Sequence, residues 1–165
     1  MSLNVFVSLK QPDLHAISAL ASLKSLLGDD APTQLFRCRH LVFSKSDGSE
    51  LSDSFLAPLL ANRFDIVNPN KEAISWHVPP TVNLPDGQHV FWVDVTSRTP
   101  NVPDKVHFSG QDLDMLVGIT WGIVLPSRGF DEAALKSWLS NTLLFGDSPA
   151  AGLLVNPVLE TAQFF

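Results

Sequence analysis

The chain has 165 residues, which is one domain or two very small ones, long enough to bury a core with no need of disulfides or metal. Hydrophobic residues make up 45% and charged residues 17%, which excludes a disordered chain, and the formal net charge of −6 excludes wholesale coating of nucleic acid by a basic surface. Cys38 is the single cysteine, so neither an intrachain disulfide nor a cysteine-based zinc cluster can form, and a reducing compartment is expected. The longest apolar runs fall far short of a membrane span, and the first residues lack the basic start and apolar core of a signal peptide. Twelve prolines punctuate the chain into short pieces, which favours strands and loops over a helical bundle. Four Trp and eleven Phe, with few charges, suit a chain that buries surface against copies of itself.

Leu3 to Leu9 reads as a strand with Leu3, Val5, Val7 and Leu9 on one face. Pro12-Asp13 opens a helix with Ala16, Leu20, Leu23 and Leu27 at helical spacing, and Gly28 ends it. Gln34 to Lys45 is a second strand. Phe36, Cys38, His40 and Val42 share one face, and Leu35, Arg37, Arg39, Leu41 and Phe43 the other. Ser46-Asp47-Gly48-Ser49 has the composition of a hairpin turn. Residues 50–62 fit a short helix through Leu51, Phe55, Leu59 and Leu60 only if Pro58 sits in its first turn.

Glu72–Val78 is a strand stopped by Pro79-Pro80, and Pro85-Asp86-Gly87-Gln88 is a turn. His89–Arg98 alternates Phe91, Val93 and Val95 against Trp92, Asp94, Thr96 and Arg98, and Pro100 and Pro103 end it. After a loop, Leu116–Leu125 places Val117, Ile119, Trp121, Ile123 and Leu125 opposite Gly118, Thr120, Gly122 and Val124. The three strands read as an antiparallel meander with one apolar face. Pro126-Ser127-Arg128-Gly129 closes the sheet, and Asp131 caps a helix running to about Phe145 with Leu135, Trp138, Leu139, Thr142 and Leu143 on one stripe. A last element spans Ala150–Thr161, broken by Pro157, and the terminal Phe164-Phe165 pair calls for cover from the core or another chain. The nearest thing to an internal repeat is the pair of Leu-Leu-x-Asn stretches, Leu59–Asn62 and Leu153–Asn156.

The sequence carries no strong catalytic signature. His15, His40, His77, His89 and His107 lack metal-ligand spacing and read as scattered structural or surface histidines, with a His77–His89 meeting across a hairpin as the lesser alternative. Cys38 reads as a small core residue, and neither a Gly-x-Ser-x-Gly elbow nor a phosphate-binding glycine loop occurs. No enzyme activity, metal or cofactor is therefore expected. Arg37 and Arg39, two apart with His40 and Lys45 nearby, have the spacing to reach neighbouring phosphates or to be a solvated strand face. Trp92, Asp94, Thr96 and Arg98 offer an aromatic, hydrogen-bonding groups and a guanidinium to unpaired bases.

Three stretches, Ala73-Ile-Ser-Trp-His-Val-Pro-Pro, Val90-Phe-Trp-Val-Asp-Val-Thr-Ser-Arg-Thr-Pro and Ile119-Thr-Trp-Gly-Ile-Val-Leu-Pro-Ser-Arg-Gly-Phe-Asp, run into Ala134-Leu-Lys-Ser-Trp-Leu-Ser-Asn-Thr-Leu. In order and pattern they resemble the coat proteins of small single-stranded RNA bacteriophages. The resemblance implies an α+β fold: an antiparallel sheet of hairpins with two C-terminal helices over residues 31–165. Residues 1–30 would be an N-terminal strand–helix extension. It also implies a homodimer joined by those helices, assembly in the host cytoplasm into an icosahedral capsid, and genomic RNA on the inner sheet face. By position the RNA surface would include Trp76, Trp92, Asp94, Thr96, Arg98, Thr120 and Gly122, with Arg37 and Arg39 added from their spacing. Leu135, Trp138, Leu139 and Leu143 would be dimer interface.

Val5-Phe-Val-Ser-Leu-Lys, the helix to Gly28, Arg37, Leu59-Leu-Ala-Asn and Leu153-Leu-Val-Asn-Pro-Val-Leu-Glu carry a second resemblance, to the small subunit of phosphoribosylformylglycinamidine synthase. It implies an accessory subunit of a purine-biosynthesis amidotransferase. The Leu-Asp-Pro-Gln-Gly signature of that family does not follow Lys10. The first expectation is a non-enzymatic, self-assembling coat; the second is its alternative.

Overall fold

The structure, a computed structural model, describes residues 2–99, 102–126 and 131–165. The fold is α+β. Its seven strands are β1 (Leu3–Leu9), β2 (Gln34–Lys45), β3 (Glu72–Trp76), β4 (Val90–Ser97), β5 (Asp104–Phe108), β6 (Gln111–Val124) and β7 (Glu160–Phe164). They form one antiparallel sheet in the order β3-β1-β2-β6-β4-β7, with β5 paired to β6. The helices are α1 (Leu14–Leu27), α2 (Asp53–Asn62) and α3 (Glu132–Leu139), the last continued by a π-helical turn, Ser140–Leu144.

Local chemistry sets the element ends. The Asp13 carboxylate accepts from the His15 and Ala16 amides at the start of α1, and Gly28 ends it at φ 57°. The Asp131 carboxylate accepts from the Ala134 amide at the start of α3. Pro58 lies inside α2 rather than in its first turn. The bond its nitrogen cannot donate is outweighed by burial of Leu56, Leu59 and Leu60 beneath the helix.

Several expectations are corrected. β3 pairs with β1 rather than with β4, so the last strands are not a consecutive meander. The expected loop before β6 contains β5, joined to β6 through Ser109 (φ 48°) and Gly110 (φ 74°), the backbone of a two-residue hairpin turn. Ser46–Ser49 does turn, with the Gly48 amide on the Lys45 carbonyl, but it leads to α2 and not into a hairpin. Residues 150–159 are turns and bends, and the end of that segment becomes strand β7. The strand of the supposed 1–30 extension is interior to the sheet, paired on one edge with β2 and on the other with β3. The closing turn at Pro126–Gly129 and the stop at Pro100 fall largely on residues outside those described.

The chain divides into two compact units. The first lies within Met1–Pro12, Cys38–Pro80 and Pro100–Ile119. Its core joins Leu3, Val5 and Val7 of β1, Leu41 and Phe43 of β2, Leu56, Leu59 and Leu60 of α2, and Ile66 and Val67. The second lies within Asp13–Arg37, Thr81–Thr99 and Thr120–Phe165. It buries Phe91, Val93 and Val95 of β4, Trp121 and Ile123 of β6, Leu139, Leu143 and Leu144, and Leu154 and Val155.

The two units repeat one another. Each has three consecutive neighbours in the same order, β3-β1-β2 in one and β7-β4-β6 in the other. Val5-Phe-Val-Ser-Leu-Lys10 corresponds to Val93-Asp-Val-Thr-Ser-Arg98, and Val67-Asn-Pro-x-x-Glu72 to Val155-Asn-Pro-x-x-Glu160, with one constant interval in numbering. The bonding matches residue for residue. The Glu72 carboxylate accepts from the Asn68 amide at 2.7 Å, as the Glu160 carboxylate does from the Asn156 amide at 2.7 Å. Lys10 donates its amide to Lys71 and Arg98 to Leu159; His77 donates to Asn4 and Phe165 to Trp92. Leu56, Leu59 and Leu60 of α2 match Leu139, Leu143 and Leu144, the π-helical turn absorbing the one extra residue.

Candidate nucleic-acid interface

The face of β4 opposite Phe91, Val93 and Val95 carries Trp92, Asp94 and Thr96. Register with β7 sets Gln163 across from Asp94 and Thr161 across from Thr96. Directly opposed residues of an antiparallel pair share a face, so these polar groups form one patch. The Thr96 and Thr161 hydroxyls meet at 3.0 Å, and Arg98 Nε donates to the Glu160 carbonyl at 2.9 Å. Thr96, Arg98, Thr161 and Gln163 are exposed; Trp92 and Asp94 are half-buried.

The indole is seated by a glycine. A Cβ built on Gly122 would lie 2.7 Å from the Trp92 ring, so only glycine lets that ring lie against β6. Phe36 flanks the indole at 6.4 Å between ring centroids. Thr120 donates to the Asp94 carboxylate at 2.8 Å and fixes its direction. The patch thus offers an aromatic surface, a carboxylate acceptor, paired hydroxyls, an amide and a guanidinium.

The other sequence-predicted residues go elsewhere. Thr120 is fully buried, so it orients Asp94 and does not itself reach the surface. Trp76 packs against the apolar core of the first unit, opposite Val5, and so lies on the core side of its strand. Arg37 pairs with Asp13 at 3.5 Å and lies 5.9 Å over the Trp121 ring. Arg39 donates to Glu72 and to the Ile66 carbonyl, both at 2.8 Å. Each arginine is therefore engaged by its own unit. Leu139 and Leu143 are fully buried within the single chain, so this part of the stripe is core rather than dimer interface. Leu135 and Trp138 are half-buried. Thr161 and Gln163 lie outside the sequence-predicted set, because Pro157 and the turns before Glu160 mask the strand that carries them.

A cleft of about 280 Å³ lies beside this patch, lined by His89, Trp92, Glu132, Leu135, Lys136 and Phe164 among others. Lys136 bonds Glu132 at 2.7 Å and holds that carboxyl below its usual range. His77 bonds Asp53 at 2.9 Å, while His89 belongs to the other unit. Among the described residues no group of three or more His, Cys, Asp or Glu is placed to hold a metal, and no helix is long and apolar enough to cross a membrane. No family model, no curated protein and no solved structure matches the chain.

Proposed function

We propose that the chain is a non-enzymatic structural protein of the coat type, which associates with copies of itself and presents the β4–β7 patch to single-stranded RNA in a capsid. The observation that carries this reading is the glycine-seated Trp92 beside exposed Thr96, Thr161, Gln163 and Arg98. An indole on a sheet stacks any base, worth about 1–3 kcal/mol per base, while hydroxyl, amide and carboxylate groups bond base edges. Asp94 suits a base amino group and Arg98 a phosphate. With a net charge of −6, affinity rests on stacking more than on counterion release. Because Leu139 and Leu143 are buried within the chain, the self-association in this reading does not rest on those two side chains.

The test is light scattering on the size-excluded protein with absorbance at 260 and 280 nm. The expected result is an assembly larger than 18.0 kDa that carries nuclease-sensitive RNA. The Thr96→Ala, Arg98→Ala double variant keeps the assembly and loses most of the RNA. A nucleic-acid-free monomer would overturn the reading, and unchanged RNA in the double variant would remove the patch from it.

A further inference from the structure

β7 ends the sheet, and its hydrogen bonds show which of its groups are unspent. Phe165 donates to the Trp92 carbonyl and the Leu159 carbonyl accepts from Arg98. In an antiparallel ladder bonding alternates along the strand, so Leu159, Thr161, Gln163 and Phe165 face β4. Glu160, Ala162 and Phe164 turn their backbone groups outward. The Glu160 amide is taken by the Asn156 carbonyl, which leaves the Ala162 and Phe164 amides as outward donors.

The equivalent edge, β3, has the same outward pattern at Glu72, Ile74 and Trp76 but different flanks. Where the first unit has Asn70, Lys71 and His77, the second has Val158, Leu159 and Phe165. The last three are 77%, 58% and 54% exposed. Charged and polar flanks deter pairing at a sheet edge, and apolar ones invite it.

From this contrast we infer that the outer edge of β7 is the seam on which a second copy of this chain docks, antiparallel, with Ala162 on the twofold axis. The inference rests on the self-association reading above and names the surface that performs it. Ala162 pairs with Ala162 of the second copy, and Phe164 donates to the Glu160 carbonyl across the seam. The same register sets Glu160 beside Phe164 of the second copy. Lys136, which bonds Glu132 at 2.7 Å, lies 5.9 Å over the Phe164 ring, so its ammonium stands between Glu132 and the Glu160 carboxylate of the second copy. Thr161 faces Gln163 across the seam, which continues the polar patch from one copy into the next. Ala162 is small enough for the two strands to close at the axis.

The test uses the full chain and two readouts. Ala162→Pro deletes an outward amide that no bond among the described residues requires. Scattering mass is expected to fall by the dimer contact, with association weakened about a hundredfold or more and circular dichroism unchanged. Hydrogen exchange on the unmodified chain is the second readout, independent of how the variant folds. The Ala162 and Phe164 amides should become protected as concentration rises, while Thr161 and Gln163 stay protected throughout. An associated wild type whose Ala162 and Phe164 amides exchange fast at every concentration would overturn the seam and leave self-association standing. So would a folded Ala162→Pro variant that associates as before. A wild type monomeric at all concentrations overturns both.

Discussion

The two units are built to one plan and have diverged where the plan meets solvent. Both bury a valine-rich strand under a helix, and both lock the approach to the last strand with an Asn-Pro-x-x-Glu clasp. Inside, the substitutions conserve volume and polarity in kind: Ile66 and Val67 against Leu154 and Val155, all buried. Outside they change character. The Phe6–His40 stack of the first unit stands at the position where the second has the Asp94–Thr120 hydrogen bond. Lys10 of the first unit donates its ammonium to the Pro69 carbonyl, whereas its counterpart Arg98 donates Nε to the Glu160 carbonyl and presents a guanidinium at the surface. Packing holds a fold to its pattern, whereas the exposed face is free to acquire a task.

The largest test of this comparison is Gly146→Ala. A Cβ at Gly146 would overlap the Asn141 carbonyl of the π-helical turn, a feature the first unit lacks. The substitution must unwind that turn and should cost more than about 4 kcal/mol in denaturant unfolding. By contrast Gly110→Ala, at φ 74° in open space, should cost about 1–2 kcal/mol. Equal costs would mean that the π-turn is not held by packing.

The two clasps give a smaller contrast. Glu72→Ala loses both the Asn68 amide bond and the half-buried Arg39 pair, and about 2 kcal/mol is expected. Glu160→Ala loses only the Asn156 amide bond, and about 1 kcal/mol is expected. Equal losses would show that Arg39 contributes nothing to its unit.

The smallest effect concerns the loop after α2. The side-chain hydrogen bond from Arg63, at 2.6 Å, lowers the Asp65 carboxyl to about 2. A depressed value in the folded state favours folding above the unfolded carboxyl's range, and this support fades as pH falls toward about 2. A carbon-detected titration should place the Asp65 midpoint there, and Arg63→Gln should return it to the ordinary range near 4. A midpoint that does not move would assign the shift to the backbone instead.

Much of this was legible in the sequence. β1, α1 and β2 are legible with their boundaries because alternation, an aspartate cap and a stop glycine agree there. The buried and open faces of β4 followed from alternation alone. Strand order was not legible: nothing local in Glu72–Trp76 says that its partner is β1 and not the next strand. β5 hid because Asp104, Lys105 and His107 are charged or polar, as suits an exposed strand, and only Val106 is buried. The repeat hid because the Leu-Leu-x-Asn likeness aligned Asn62 with Asn156, whereas the hydrogen bonds align Asn68 with it. Of the candidate site, the β4 half was visible and the β7 half was not, since Pro157 and the turns before it broke the pattern.

The difference between the two sheet edges has a consequence for growth. A protein made of two identical halves would carry the same edge at both ends, and a sticky edge at each end propagates into a filament. Here Lys71 and His77 guard one end while Leu159 and Phe165 leave the other open. If the β7 seam forms, such a chain has a valency of one along the sheet: pairing would terminate with the second copy, and any larger assembly would grow through surfaces other than its strands.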